Sequence, residues 1–172
     1  MPRIDISLLI AAPPERCFDL ARSIEAHTYS TSATGERAVG GKTSGLLTLG
    51  DRVTWRARHF GLWQELTSEI TAFERPLRFR DSLVRGAFTH FDHDHYFSAS
   101  GTGTLVRDVF DYRAPLGILG RIAEALFLTT YMHRFLETRL HALKLLAESS
   151  AWIGFLPHNP SRLHRSGARP EC

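Results

Sequence analysis

The sequence predicts an α+β domain in which a curved antiparallel sheet of about seven strands wraps around one long C-terminal helix. Three observations carry this. Alternating apolar and polar residues recur at hairpin spacing between residues 51 and 113, with Gly or Pro punctuating the runs. A helical period then begins at Ile118 and continues to about Glu148, with neither Pro nor Gly after Gly120. At 172 residues the chain is long enough for one domain with a real core.

Residues 3–11 read as a first strand, which Pro13-Pro14 ends; Pro14 suits the first turn of a helix. A short helix over 15–22 follows, with Cys17, Phe18 and Ala21 inward, then a turn at 24–27 and a polar loop over 28–34. An irregular second strand is expected over 35–39 and 46–49, around Gly40-Gly41. The next strand, 51–60, sets Val53, Trp55, Ala57 and His59 on one face. Residues 62–73 set Leu62, Leu66, Ile70 and Ala72 on one side. Leu77, Phe79, Asp81 and Leu83 oppose Arg78, Arg80 and Ser82. The final strand sets Val106, Asp108, Phe110 and Tyr112 against Arg107, Asp111 and Arg113. In the long helix, Ile122, Leu126, Thr129, His133, Leu136, Leu140, Leu143 and Ala147 form the stripe expected to face the sheet. The expected domain is residues 1–149, and residues 150–172 are expected to be a basic, disordered tail in which Trp152, Ile153, Phe155 and Leu156 offer docking side chains.

Composition narrows the function. The net charge is +3, but Arg162, Arg165 and Arg169 against Glu171 make +2 of it a tail property. The nearly balanced body argues against a nucleic-acid surface. Two cysteines, Cys17 and Cys172, offer no disulfide framework and no metal quartet. Without a secretory pattern at Met1–Asp5 or a membrane-length apolar run, cytoplasmic residence is the default expectation. Gly40-Gly41-Lys42-Thr43-Ser44 is no phosphate loop, because Glu36 occupies the first Gly position.

The stretch Phe91-Asp92-His93-Asp94-His95-Tyr96-Phe97 carries the chemistry. As a strand it puts Phe91, His93, His95 and Phe97 on one face, and the bulky apolar ends direct that face inward. Two imidazoles then enter an interior where unpaired polar groups cost free energy.

Three stretches resemble the START and birch-pollen-allergen superfamily, also called SRPBCC proteins. Pro13-Pro14-Glu15-Arg16-Cys17-Phe18-Asp19-Leu20 resembles the family's strand-to-helix entry. Phe91–Phe97 resembles its His-containing strand. Tyr112-Arg113-Ala114-Pro115-Leu116-Gly117-Ile118-Leu119-Gly120 resembles the Pro-Leu-Gly-x-Leu-Gly junction of the polyketide cyclase/dehydrase and coenzyme Q-binding-like branch. The resemblance covers residues 3–149 and implies the helix-grip fold with an apolar cavity between sheet and helix.

In that strand order Asp81, His93, His95 and Asp108 become neighbours on the concave sheet. With Trp55, His59, Phe79, Phe110, Tyr112, Leu126 and His133 they form the expected ligand-binding set. The His–carboxylate cluster has three readings: a satisfied core network, an anchor for a carbonyl, hydroxyl or quinone oxygen of a small hydrophobic or amphipathic ligand, or a general acid/base, with His93 or His95 as candidate, in a cyclase- or dehydratase-like reaction. A metal is not expected, because Phe97–Gly103 lacks the further Glu and His of a cupin-type site; no cofactor is implied. Phe127, Leu128, Tyr131 and Phe135 form a second apolar patch on the helix. It either meets the ends of the sheet or marks a homodimer or peripheral membrane contact.

Overall fold

A computed structural model describes residues 1–157. Seven strands form a single sheet in the order β1-β7-β6-β5-β4-β3-β2, each neighbour antiparallel. They are β1 (Arg3–Ile10), β2 (Arg37–Gly41), β3 (Arg52–His59), β4 (Leu62–Glu74), β5 (Arg78–Arg85), β6 (His90–Ser100) and β7 (Gly103–Arg113). From β2 to β7 this is the expected meander, and β1 closes it by pairing with β7. Helices α1 (Pro14–Ala21) and α2 (Ile24–Ser30) cross between β1 and β2. Helix α3 (Gly117–Ala123) runs through a π-helical turn at Glu124–Leu128 into α4 (Thr129–Glu148).

β2 is shorter than expected. It carries a bulge between Ala38 and Gly40, while Leu46 makes only an isolated bridge to Ser23. Gly41 closes this edge at φ +67°, where a Cβ would meet the Arg52 carbonyl oxygen at 2.3 Å. A second shift, between Ile70 and Ala72, reverses the alternation of β4. Phe73 therefore joins the core in place of Ala72, the residue expected to face inward.

One half of the concave face is packed solid. Phe18 of α1 meets Phe73, Phe79 and Phe97 edge-on, with ring centroids 5.3–5.5 Å away. Ile10, Val106, Leu140 and Ala147 complete that cluster. The C-terminal end of α4 is tied to the β1–α1 junction. Glu148 Oε1 accepts from the Ala11 N–H at 2.7 Å, and the Arg16 guanidinium donates to the Ala147 carbonyl at 3.0 Å.

The helix stripe agrees with expectation only in its second half. Leu136, Leu140 and Ala147 are buried, but Ile122, Leu126 and His133 are exposed. The fully buried positions before Leu136 are Gly120, Glu124 and Met132. The π turn takes one more residue than an α turn, so the phase that fits α4 does not extend back through α3. Residues expected to begin the tail are packed on the domain. Trp152 lies under the Arg16 guanidinium at 4.3 Å, and the Phe155 carbonyl accepts from Ser23 Oγ at 3.3 Å. Residues 158–172, where the rest of the tail expectation falls, lie outside the described residues.

The Phe18 ring touches three strands through their aromatic side chains. Phe18→Ala is expected to lower unfolding stability by about 3–5 kcal/mol in urea titration; a loss below about 1 kcal/mol would place the main core elsewhere.

Candidate functional site

Beyond the packed half, the sheet curves away from the helix and encloses a cavity of about 360 Å³, a size suited to a small organic molecule. β3 contributes Trp55, Ala57 and His59, and β4 contributes Gln64, Leu66 and Ser68. Phe91, His93 and Phe110 come from β6 and β7. The helix wall consists of Leu128, Tyr131, Met132, Phe135, Leu136 and Arg139.

Strand register builds the polar network. Asp81 is opposite His93, and His95 is opposite Asp108. His95 Nδ1 lies 2.8 Å from Asp108 Oδ1, and its Nε2 lies 3.2 Å from Asp81 Oδ1. Ionised carboxylates only accept hydrogen bonds, so both ring nitrogens donate and His95 is an imidazolium. Burial opposes that charge, but the Asp108 charge and both hydrogen bonds raise the His95 pKa above its ordinary value. Burial also opposes ionisation of Asp108, yet the imidazoles hold its carboxyl well below the usual range. His93 differs. Burial and the neighbouring His95 charge lower its pKa, so it is neutral at pH 7. Its Nε2 has no hydrogen-bond partner and lies 3.8 Å from Asp108 Oδ2.

A second pair lines the same end of the cavity. His27 of α2 stacks on Trp55 at 3.9 Å, and its Nε2 sits 3.4 Å from Glu36 Oε1, outside hydrogen-bond geometry. His27 Nε2 and Glu36 Oε2 are both buried without partners. Burial lowers the His27 pKa and leaves the imidazole neutral. Burial works against the Glu36 carboxylate, but its contact with the His27 ring and the Arg139 charge outweigh it and hold its pKa below the ordinary value. Arg139 reaches this inner end from α4. Among the described residues, no carboxylate lies within 4.0 Å of its guanidinium.

Of the expected set, Trp55, His59, Asp81, His93 and Phe110 line the cavity. Phe79 stacks on His95 at 4.3 Å inside the solid core. His95 and Asp108 lie behind His93, against a gap of only about 10 Å³. Tyr112 is fully buried, its hydroxyl 2.8 Å from Thr129 Oγ1, so it supports the wall from behind. Leu126 is 74% exposed, and His133 points outward toward Glu137. The π turn puts Leu126 out of phase with α4, whereas His133 lies within α4 as an exposed position beside the buried Met132. Leu128, Tyr131 and Phe135 of the second helix patch face the cavity. Phe127 half-faces solvent against Phe60.

Sequence reasoning missed His27, Glu36 and Arg139. Glu36 shares its parity with Ala38, which is opposite Trp55. Arg139 falls between Leu136 and Leu140 in an apolar stripe. Asp81, His93 and His95 offer nitrogen and oxygen atoms within 4.8 Å of one another. Because both His95 nitrogens already face carboxylates, metal ligation there requires breaking those bonds.

A family model described as polyketide cyclase / dehydrase and lipid transport matches residues 1–148. No curated protein matches the sequence. Solved structures share the fold, among them these three. TTHA0849 from Thermus thermophilus has a TM-score of 0.71 at 24% identity, over 86% of this chain and 100% of its own. Major latex-like protein 151 from Panax ginseng has a TM-score of 0.65 at 16% identity, over 86% and 98%. CV1439 from Chromobacterium violaceum has a TM-score of 0.67 at 12% identity, over 86% and 98%.

The opposite pKa shifts give a test. In imidazole NMR titrations His95 is expected to titrate above about 6.5, and His27 and His93 below it. Stability contributed by the His95 pairing is full below about pH 6.5 and is lost as pH rises through its raised pKa. That contributed by burying His27 and His93 in neutral form is lost as pH falls below about 6.5. A His95 that titrates below His93 would contradict the clamp. Asp108→Asn, which leaves a buried cation half-paired, is expected to cost about 3–5 kcal/mol in denaturant unfolding.

Proposed function

Because the chain belongs to the polyketide cyclase / dehydrase and lipid-transport family, we propose that it binds a small, mainly apolar molecule whose oxygenated head lies at the inner end of the cavity. The observation that carries this reading is the set of three buried polar atoms that have no partner among the described residues: His27 Nε2, Glu36 Oε2 and His93 Nε2. Their residues all line one cavity with an otherwise mainly apolar wall. Such atoms cost free energy unless something else satisfies them.

Charge counting narrows the head group. Glu36, Asp81 and Asp108 are ionised; His95 and Arg139 are the compensating cations. The inner end therefore carries about one net negative charge when His27 and His93 are neutral. A carboxylate head adds to that charge. An uncharged head with a hydroxyl and a carbonyl fits better, the hydroxyl donating to Glu36 Oε2 and the carbonyl accepting from Arg139.

Native mass spectrometry of the purified protein, with displacement of an environment-sensitive fluorophore by hydroxy-ketones, fatty alcohols and fatty acids, tests the reading. Uncharged hydroxylated compounds are expected to displace best at neutral pH. Glu36→Gln is expected to weaken them about tenfold. Leu128→Trp, which fills the cavity, is expected to abolish displacement. A protein with no bound mass, no uptake of any probe and no response to Leu128→Trp would refute the proposal.

One observation favours a catalytic version. His27 is neutral, open to the cavity and 3.4 Å from a carboxylate, and the Arg139 guanidinium faces the same space. In such a version His27 removes a proton beside a bound carbonyl, and Arg139 stabilises the resulting enolate oxygen. The His95 imidazolium is excluded as base because both its nitrogens are committed. His27→Gln is expected to abolish turnover of poly-carbonyl substrates while binding persists; parallel loss of both leaves simple binding.

A further inference from the structure

The cavity opens at the sheet end where β3 meets β4, β5 meets β6, and β7 meets α3. Phe60, Leu116, Leu119 and Phe127 line it and are also exposed, so they form its rim. Ile118 and Leu126, each 74% exposed, extend the rim along α3 and the π turn. An apolar surface of this continuity is unusual on a domain that meets only water.

Two further features mark the rim. Among the described residues, Phe60 and Leu116 are the two non-glycine residues with positive φ, +52° and +69°. Bulky side chains rarely occupy that region. Phe60-Gly61 forms a two-residue hairpin loop with positive φ at both positions, where Asn-Gly is the usual choice. At both sites the chain holds a large apolar residue where backbone preference favours Asn or Gly, and it leaves that residue exposed.

The second feature is charge. Residues 57–64, 84–91 and 112–128 supply the rim, and within them lie Arg58, Arg85, Arg113 and Arg121. Their single acid is Glu124, which is buried and accepts from the Ala114 N–H at 2.6 Å. The rim is thus apolar with a cationic border, although the whole chain has 21 basic and 18 acidic residues.

We propose that this rim docks on an anionic lipid bilayer, with the Phe60 hairpin and the Leu116–Leu126 segment entering the interface and the arginines meeting headgroups. The proposal concerns the outer surface and holds independently of what the cavity binds. A second copy of the chain fits less well, because a two-fold contact through the rim brings like charges together.

Co-sedimentation of the full chain with phosphatidylcholine vesicles, with and without phosphatidylglycerol, tests it. The protein is expected to pellet with the anionic vesicles and to be released by salt. Arg58→Gln and Arg121→Gln are each expected to lower partitioning about fivefold. The triple variant Leu116→Asn/Ile118→Gln/Leu126→Gln is expected to lower it at least about tenfold. Its Tm should not fall, since Asn tolerates positive φ. If the triple variant melts early, the two arginine variants decide. Failure to pellet with anionic vesicles overturns the proposal. So does undiminished pelleting of both variant classes, or a concentration-dependent dimer in gel filtration that the triple variant disperses.

Discussion

A buried imidazolium held between a buried carboxylate and a half-buried one organises the concave face. His95 ties β6 to β7 through Asp108 and to β5 through Asp81. The three strands thereby fix their register in the interior as well as through the backbone ladder. Taking these charges out of water is costly, and the arrangement persists because each nitrogen has a carboxylate oxygen opposite it. Its electrostatic effect extends one inward position further along β6. The His95 charge helps keep His93 neutral, so two imidazoles on the same strand face are held in opposite protonation states.

That cluster also lies at the boundary between the packed and the open halves of the domain. On one side, Phe79 stacks on His95 and passes the contact to Phe18 and the solid core. On the other, His93 faces the cavity. A rigid frame on one side lets the other tolerate empty volume and unpaired polar atoms without collapse. The Glu148–Ala11 and Arg16–Ala147 contacts anchor the helix at the packed end. Its opposite end is the one that carries the exposed rim.

The strands were legible because side-chain alternation has a period of two and is broken only at bulges. β6 and β7 carry none, and their inward residues, from Phe91 to Phe97 and from Val106 to Tyr112, followed from the sequence directly. Where a bulge intervenes, as between Ile70 and Ala72, parity failed and Phe73 replaced Ala72. The helix failed for a related reason. A uniform period extended from Leu140 back to Ile122 passes through the π turn, which puts Leu126 and Ile122 out of phase, while His133, within α4, gives its inward place to Met132. His27 and Glu36 were hidden for another reason. His27 is in the middle of a seven-residue helix and Glu36 just precedes a five-residue strand, elements too short to make a pattern, and only the folded chain brings the two together.

The π turn has a consequence for how this domain can change. A helix wall in strict α register is a single unit: rotating its rim-facing residues would also rotate Leu136, Leu140 and Ala147 out of the core. A wider turn at Glu124–Leu128 uncouples the two lengths. Substitutions, or a one-residue deletion that restores regular winding, can re-aim residues 117–128 while the anchored half of the helix stays seated. The same scaffold can thus acquire differently shaped openings without a new core, and the part of the chain free to diversify is the part that guards entry.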